Sequence, residues 1–192
     1  MSPVPRTVLR LAAALAGALG LVATGPGLAS AADLVHTDPA RDVVTASFSS
    51  DKEQVAPGER GIDIRKVRVS HGTDTLVIHL RTRGRLPRKG VILNAAVRTP
   101  GGTYDLAHLR FAGATESALV IGGTAVPCAG FGAEQGRRTA TFTVPTACIG
   151  DPAWVRVGVG VARTSGKRFY ADDGLSRTTG MRLKLSGRIA RG

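Results

Sequence analysis

The chain has 192 residues, with 26 Lys+Arg against 14 Asp+Glu, a net charge of +12, and aromatic residues make up only 4% of it. That length suits one domain with a sizeable core, and the shortage of aromatic rings leaves little material for stacking on nucleic-acid bases. The two cysteines, Cys128 and Cys148, sit outside any C-x-x-C or Cys/His spacing, which argues against zinc or redox chemistry and for a disulfide made in an oxidising compartment.

Residues 1–31 read as an export signal. Arg6 and Arg10 give a positive start, Leu11 to Ala23 is an uncharged apolar run, and Ala29-Ser30-Ala31 supplies the small residues of a cleavage site. The run falls short of the roughly 20 residues that span a bilayer, and no second long apolar stretch follows, so the expected product is a secreted, extracellular chain of residues 32–192 with no transmembrane segment. Without Arg6 and Arg10 it carries 24 Lys+Arg against 14 Asp+Glu, a net charge of +10.

From Ala32 to Gly61 the chain is mostly polar, and the turns D-P-A-R-D at 38–42 and A-P-G-E-R-G at 56–61 flank one short strand, Val43 to Phe48. Ile62, Ile64, Val67 and Val69, then a turn at His71 to Asp74, then Leu76, Ile78 and Leu80 make a β-hairpin, because two period-2 runs enclose a Gly-containing turn. The basic loop R-T-R-G-R-L-P-R-K-G follows at 81–90. Strands are expected at Val91–Val97, Tyr104–Phe111 and Ala118–Ile121.

Thr139, Thr141 and Thr143 alternate with Ala140, Phe142 and Val144, the pattern of a half-buried strand. Past the Gly150-Asp151-Pro152 turn, Val155, Val157, Val159 and Val161 share one face, opposite Trp154, Arg156, Gly158 and Gly160. The two glycines flatten that second face, so another backbone or a large side chain is expected to lie against it, while Trp154 is read as core. Met181, Leu183 and Leu185 suggest a last strand, and the Gly/Arg tail from Gly187 is expected to fray. No stretch keeps apolar residues at helical spacing for a dozen positions. The sum is a single all-β domain, an antiparallel β-sandwich with a Cys128–Cys148 disulfide, whose loop of about twenty residues stabilises by about 3 kcal/mol in the chain-entropy account.

Two groups of residues could carry chemistry. Arg81, Arg83, Arg85, Arg88 and Lys89 concentrate positive charge in one loop, as the binding of an anionic cell-envelope polymer or glycan requires; a solvated basic edge is the other reading. Asp38, Asp42, Asp172 and Asp173, with Asp63, lie at turns in a protein otherwise poor in acids. If the ends of the sandwich bring them together, they supply the oxygen ligands that a structural calcium takes; otherwise they are turn formers. His36, His71, His79 and His108 are scattered, and neither H-E-x-x-H nor G-x-S-x-G occurs.

The D-P-x-x-D at 38–42, D-I-x-x-V-x-V from Asp63, V-P-x-x-C-I-G-x-P-x-W-V-R-V from Val144 and the late A-D-D at 171–173 together resemble small secreted single-disulfide proteins of high-GC Gram-positive bacteria, similar in predicted fold to carbohydrate-binding and DOMON-like β-sandwiches. The resemblance covers most of residues 38–175 and implies a non-enzymatic binding or envelope-associated module. Two rivals remain. A secreted hydrolase would need a site assembled from distant loops, with His79 or His108 in a polar cleft; a protease-inhibitor-like module would present Phe131 and Arg137-Arg138 as bait.

Overall fold

A computed structural model describes residues 32–111, 113–176 and 183–192. Residues 1–31, where the export signal is expected, and Met181 lie outside the described residues. The fold is an antiparallel β-sandwich. Its strands in chain order are β1 (Ala32–Thr37), β2 (Val44–Ser47), β3 (Ser50–Val55), β4 (Ile64–His71), β5 (Thr75–Thr82), β6 (Val91–Thr99), β7 (Gly102–Phe111), β8 (Ala114–Ile121), β9 (Thr124–Ala125), β10 (Gly132–Gln135), β11 (Thr139–Pro145), β12 (Trp154–Ser165), β13 (Arg168–Asp173) and β14 (Ile189–Ala190). A single 3-10 turn, Thr146–Ile149, follows β11. One sheet runs β1-β4-β5-β11-β10, and the other runs β3-β2-β13-β12-β6-β7-β8-β9 with β14 added to β12.

The core is the facing of two period-2 patterns. Val69, Leu76, Ile78, Leu80, Phe142 and Val144 of the first sheet meet Val91, Leu93, Val97, Val155, Val157 and Val159 of the second, all at 1% exposure or less. In β4 a bulge between Ile64 and Lys66 shifts the phase, so that Ile64 and Val67, three apart, both face inward. Cys128 and Cys148 are bonded. The bridge ties the segment before β10 to the 3-10 turn, and both cysteines pack at the edge of the core.

β12 is the most enclosed strand. Its valines enter the core, and on its second face Gly158, Gly160 and Ala162 are buried as well. What covers the two glycines is the segment 183–186: a Cβ on Gly158 would meet the Lys184 carbonyl at 3.0 Å and the Leu183 Cβ at 3.2 Å. Ser186 fastens this segment, donating its N–H to the Val157 carbonyl at 2.8 Å and accepting the Val157 N–H on its hydroxyl at 3.0 Å. The close neighbour expected over the flat face is therefore present.

Other expectations change. The strand expected over Val43 to Phe48 is β2, Val44–Ser47, but β1 before it and β3 after it in the chain form from mostly polar stretches, since each is an edge strand with one neighbour and needs only half a pattern. Leu183 and Leu185 belong to no strand; they pack down on β12 instead. Trp154 is half-buried rather than core, because it shares the outward phase of β12, and the Arg188 guanidinium lies 4.3 Å over its ring. The tail from Gly187 is docked rather than frayed: Ile189 is buried, β14 pairs with Trp154 and Val155, and the Gly192 N–H donates to the His71 carbonyl at 3.0 Å.

Gly158→Val should cost about 1–3 kcal/mol, because the added methyls meet main chain that Ser186 holds in place. The control is Gly187→Ala, where a Cβ meets nothing within 4 Å and stability should stay within about 0.5 kcal/mol. Urea midpoints with an unchanged m-value would measure both.

Candidate functional site

The acidic residues come together at one end of the sandwich. Asp38 follows β1, Asp42 precedes β2, and Asp172 and Asp173 end β13, which pairs with β2. One carboxylate oxygen from each of Asp38, Asp42 and Asp172 lies within 4.8 Å of the others. Asp173 is not in this set. Its two oxygens accept the N–H groups of Leu175 at 3.0 Å and Lys184 at 2.6 Å, so it anchors the chain on both sides of residues 177–182.

The loop that carries Asp38 and Asp42 is held by Asp63, whose Oδ2 accepts the Arg41 N–H at 2.9 Å while Arg41 sits at a left-handed φ of 71°. Asp172 is fixed by the Ile64 N–H, which donates to its Oδ2 at 2.6 Å. Asp38 differs from both. It is 1% exposed, and among the described residues neither of its oxygens accepts a hydrogen bond. Its nearest basic partner is His36, whose Nε2 is 3.9 Å from Oδ1 and is itself buried without a hydrogen bond.

Burial and like charge act in the same direction here. Burial first, then the charges of Asp172, Asp42 and Asp173, push Asp38 up to about 9, against a smaller pull from Arg65. Asp172 is pushed up to about 7, chiefly by burial and further by Asp42, Asp63 and Asp173, although the Ile64 N–H opposes the shift. Burial also raises Asp42 and Asp173. Three neighbouring carboxyls that resist ionisation are a strong preference for something positive in their midst.

The basic loop of residues 81–90 lies alongside. Arg81, Arg85, Arg88 and Lys89 are exposed, as a loop of free cations requires. Arg83 is not free. Its Nη2 donates to the carbonyls of Pro57 and Glu59 at 3.0 and 2.9 Å, its Nε is 3.2 Å from the Asp63 Oδ2, and its carbonyl accepts from the Arg138 guanidinium. Glu59, in turn, is bonded by Arg163; burial alone would raise it, but that guanidinium and the Gly61 and Arg60 N–H groups hold it below the usual carboxylate range.

The loop also gathers cations that are distant in sequence. Arg85, Leu86, Arg88, Arg110, Gln135, Gly136 and Arg137 line a cavity of about 300 Å³, so its lining includes four arginines and no acid. The Leu86 N–H donates to the Arg137 carbonyl at 2.9 Å and the Gln135 amide to the Pro87 carbonyl at 2.7 Å, which sews the loop to the β10–β11 hairpin. A second concavity of about 420 Å³ is bounded by Arg41, Arg60 and Arg83.

The histidines make a different arrangement. His79 stands on the outer face of β5, its Nδ1 3.0 Å from the Thr141 hydroxyl of β11. His108 is buried, with Nδ1 2.8 Å from the exposed Ser117 hydroxyl on β8. Burial lowers both, and the charge that acts on each is an arginine, Arg68 or Arg110, rather than a carboxylate that could orient a base. Phe131 packs against the core, while Arg137 and Arg138 are exposed, Arg138 donating to the Arg83 carbonyl. No helix among the described residues is long and apolar enough to cross a membrane.

Comparison with protein families, with curated protein sequences and with solved structures gives no match.

The carboxyl cluster predicts a pH dependence. The folded-state pKa of Asp38 lies above its ordinary value of 3.8, so the folded chain binds that proton more tightly than the unfolded one. The corresponding stability is complete below about pH 4 and is lost as pH rises toward about 9. The groups that face Asp38 are His36 on β1, Asp42 in the loop, Arg65 on β4, and Asp172 and Asp173 on β13. In chelator, the melting temperature should fall between about pH 5 and about pH 9, and Asp38→Asn should flatten that fall. A wild-type curve as flat as the variant's would refute it.

Proposed function

We propose that this protein is a secreted, non-enzymatic β-sandwich module that binds an anionic polymer of the cell envelope on the face around residues 81–90. The observation that carries the reading is the cavity lined by Arg85, Arg88, Arg110 and Arg137 without an acid among its lining residues. Four like charges held together repel, and a polyanion threaded between them relieves that repulsion while releasing its own counterions. Guanidinium groups also match phosphate and carboxylate oxygens with paired, forked hydrogen bonds.

The surrounding surface suits a polymer rather than one small anion. Arg65, Lys66, Arg81 and Arg138 border a further shallow concavity next to the same loop, which extends positive potential beyond the four arginines. Trp154 offers no open ring for a neutral sugar to stack on, since Arg188 covers it. The histidine geometry supports a binding role over a hydrolytic one, because the Ser117 and His108 pair has an arginine as its charged neighbour.

Immobilised poly(glycerol phosphate), with uncharged dextran as the comparison, tests the reading. The wild type should be retained on the first and not the second, and elute with salt. Replacing Arg85, Arg88 and Arg137 by glutamine should reduce the slope of log affinity against log salt by about two to three, if each arginine engages one phosphate. Arg83→Gln is a contrasting variant. It removes the ion-pair partner of Asp63, which is fully buried, and should destabilise the fold by about 3 kcal/mol rather than act on retention alone. Unchanged salt elution of the triple variant would return the arginines to the role of a solvated edge, and equal retention on dextran would point to a neutral glycan.

A further inference from the structure

We infer that Asp38, Asp42 and Asp172 form a calcium-binding site at the end of the sandwich where the chain leaves β1, enters β2 and leaves β13. The inference rests on residues separate from the arginine-lined cavity and stands apart from the polymer-binding reading. Its first support is distance. Calcium holds oxygen ligands at about 2.3–2.6 Å, so two ligands on opposite sides of one ion are about 4.6–5.2 Å apart. Three carboxylate oxygens within 4.8 Å of one another fit around a single ion.

The second support is independent of clustering. Asp38 is 99% removed from solvent, since its exposure is 1%, and its two oxygens accept no hydrogen bond among the described residues. The Asp42 Oδ1 is likewise enclosed and unpartnered. Buried carboxylate oxygens normally have donors, and each of the other buried carboxylates has at least one oxygen so held: Asp172 by the Ile64 N–H, Asp173 by those of Leu175 and Lys184, and Asp63 on its Oδ2 by the Arg41 N–H beside Arg83, although its Oδ1 is unpartnered among the described residues. Asp38 faces the cluster with nothing to satisfy it.

Neighbouring cations among the described residues, Arg65 included, act on the Asp38 charge from a distance without hydrogen-bonding its oxygens. Arg83 is committed to Asp63 and to the carbonyls of Pro57 and Glu59. His36 Nε2, at 3.9 Å, reaches a single oxygen of one carboxylate at more than hydrogen-bond distance. The three anchoring ligands are all oxygens, which suits a hard cation rather than zinc or copper. Three ligands drawn from two segments, with the remaining positions left to main-chain carbonyls and water, suit the six to eight flexible ligands of calcium better than the strict octahedron of magnesium. Bound there, the ion would tie the 38–42 loop to the end of β13 and cancel the repulsion between the carboxylates.

The test uses the purified protein, stripped with chelator and dialysed, then titrated separately with calcium chloride and magnesium chloride in a calorimeter and melted in each. Expected are one calcium per chain and a melting temperature about 5–10 °C higher at calcium a hundredfold above Kd, with a smaller rise in magnesium. Asp42→Asn is the first variant, because Asp42 is only partly buried and is the least enclosed of the three; Asp38→Asn, of the same shape, is the second. Either should lose the calcium heat and the rise in melting temperature, while Arg88→Gln keeps both. The inference is overturned if the wild type gives no binding heat and melts identically in calcium and chelator, if binding survives both Asp variants undiminished, or if magnesium does as much as calcium.

Discussion

Everything in this sandwich is arranged around a strand that must be covered on both faces. β12 turns Val155, Val157, Val159 and Val161 into the core and lays Gly158, Gly160 and Ala162 against a second layer. A strand hydrated on one face would need polar side chains there, and these are hydrogen and methyl. The chain therefore has to return over β12, and the segment 183–186 does so, close enough that a Cβ on Gly160 would meet the Leu183 side chain at 2.6 Å. β13 is the hairpin partner of β12, so the same covering places Asp173, paired with Gly160, beneath the returning chain, while Asp172, paired with Val161, turns to the Ile64 N–H of the other sheet.

That burial gives the acids their character. Asp38, Asp63, Asp172 and Asp173 are all at most 5% exposed, in a chain whose net charge is strongly positive. Two are spent as structural acceptors: Asp173 ties Leu175 to Lys184, and Asp63 ties Arg41 to Arg83. Asp38 and Asp42 are left facing Asp172. Arginines, by contrast, remain at the surface around residues 81–90, except for Arg83, which crosses from the basic group to the acidic one. The ion pair of Arg83 with Asp63 is thus the hinge point between the two charged regions, holding the basic loop against the 57–63 segment and the 38–42 turn at once.

Much was legible in the sequence. The period-2 runs of β4, β5, β6, β7, β11 and β12, the disulfide, and the flat glycine face of β12 each have a local cause: alternating burial, cysteine usage and the absence of a Cβ. Three of the four carboxylates named in advance do meet, because Asp-rich turns at the two ends of the chain lie beside β2 and β13, which pair. What a local pattern does not encode is edge status and partner. β1 and β3 are polar edge strands, Leu183 and Leu185 look like a strand but act as a lid, and Arg83 looks like its neighbours but is bonded inward.

The sequence by itself determined the class of fold, its cross-link and the two pools of charge, because alternation, cysteine count and composition are properties of single segments. Only the tertiary structure decided how those charges are used. Arg110 and Arg137 stand 25 and 52 residues beyond Arg85 and reach it through the ends of β7 and β11. Asp38 and Asp172 are separated by most of the chain, and whether a carboxylate is satisfied by a backbone N–H or left facing its neighbours depends on which loops close over it. Burial of that kind is a sum over distant segments, so it exists only once the two sheets have packed.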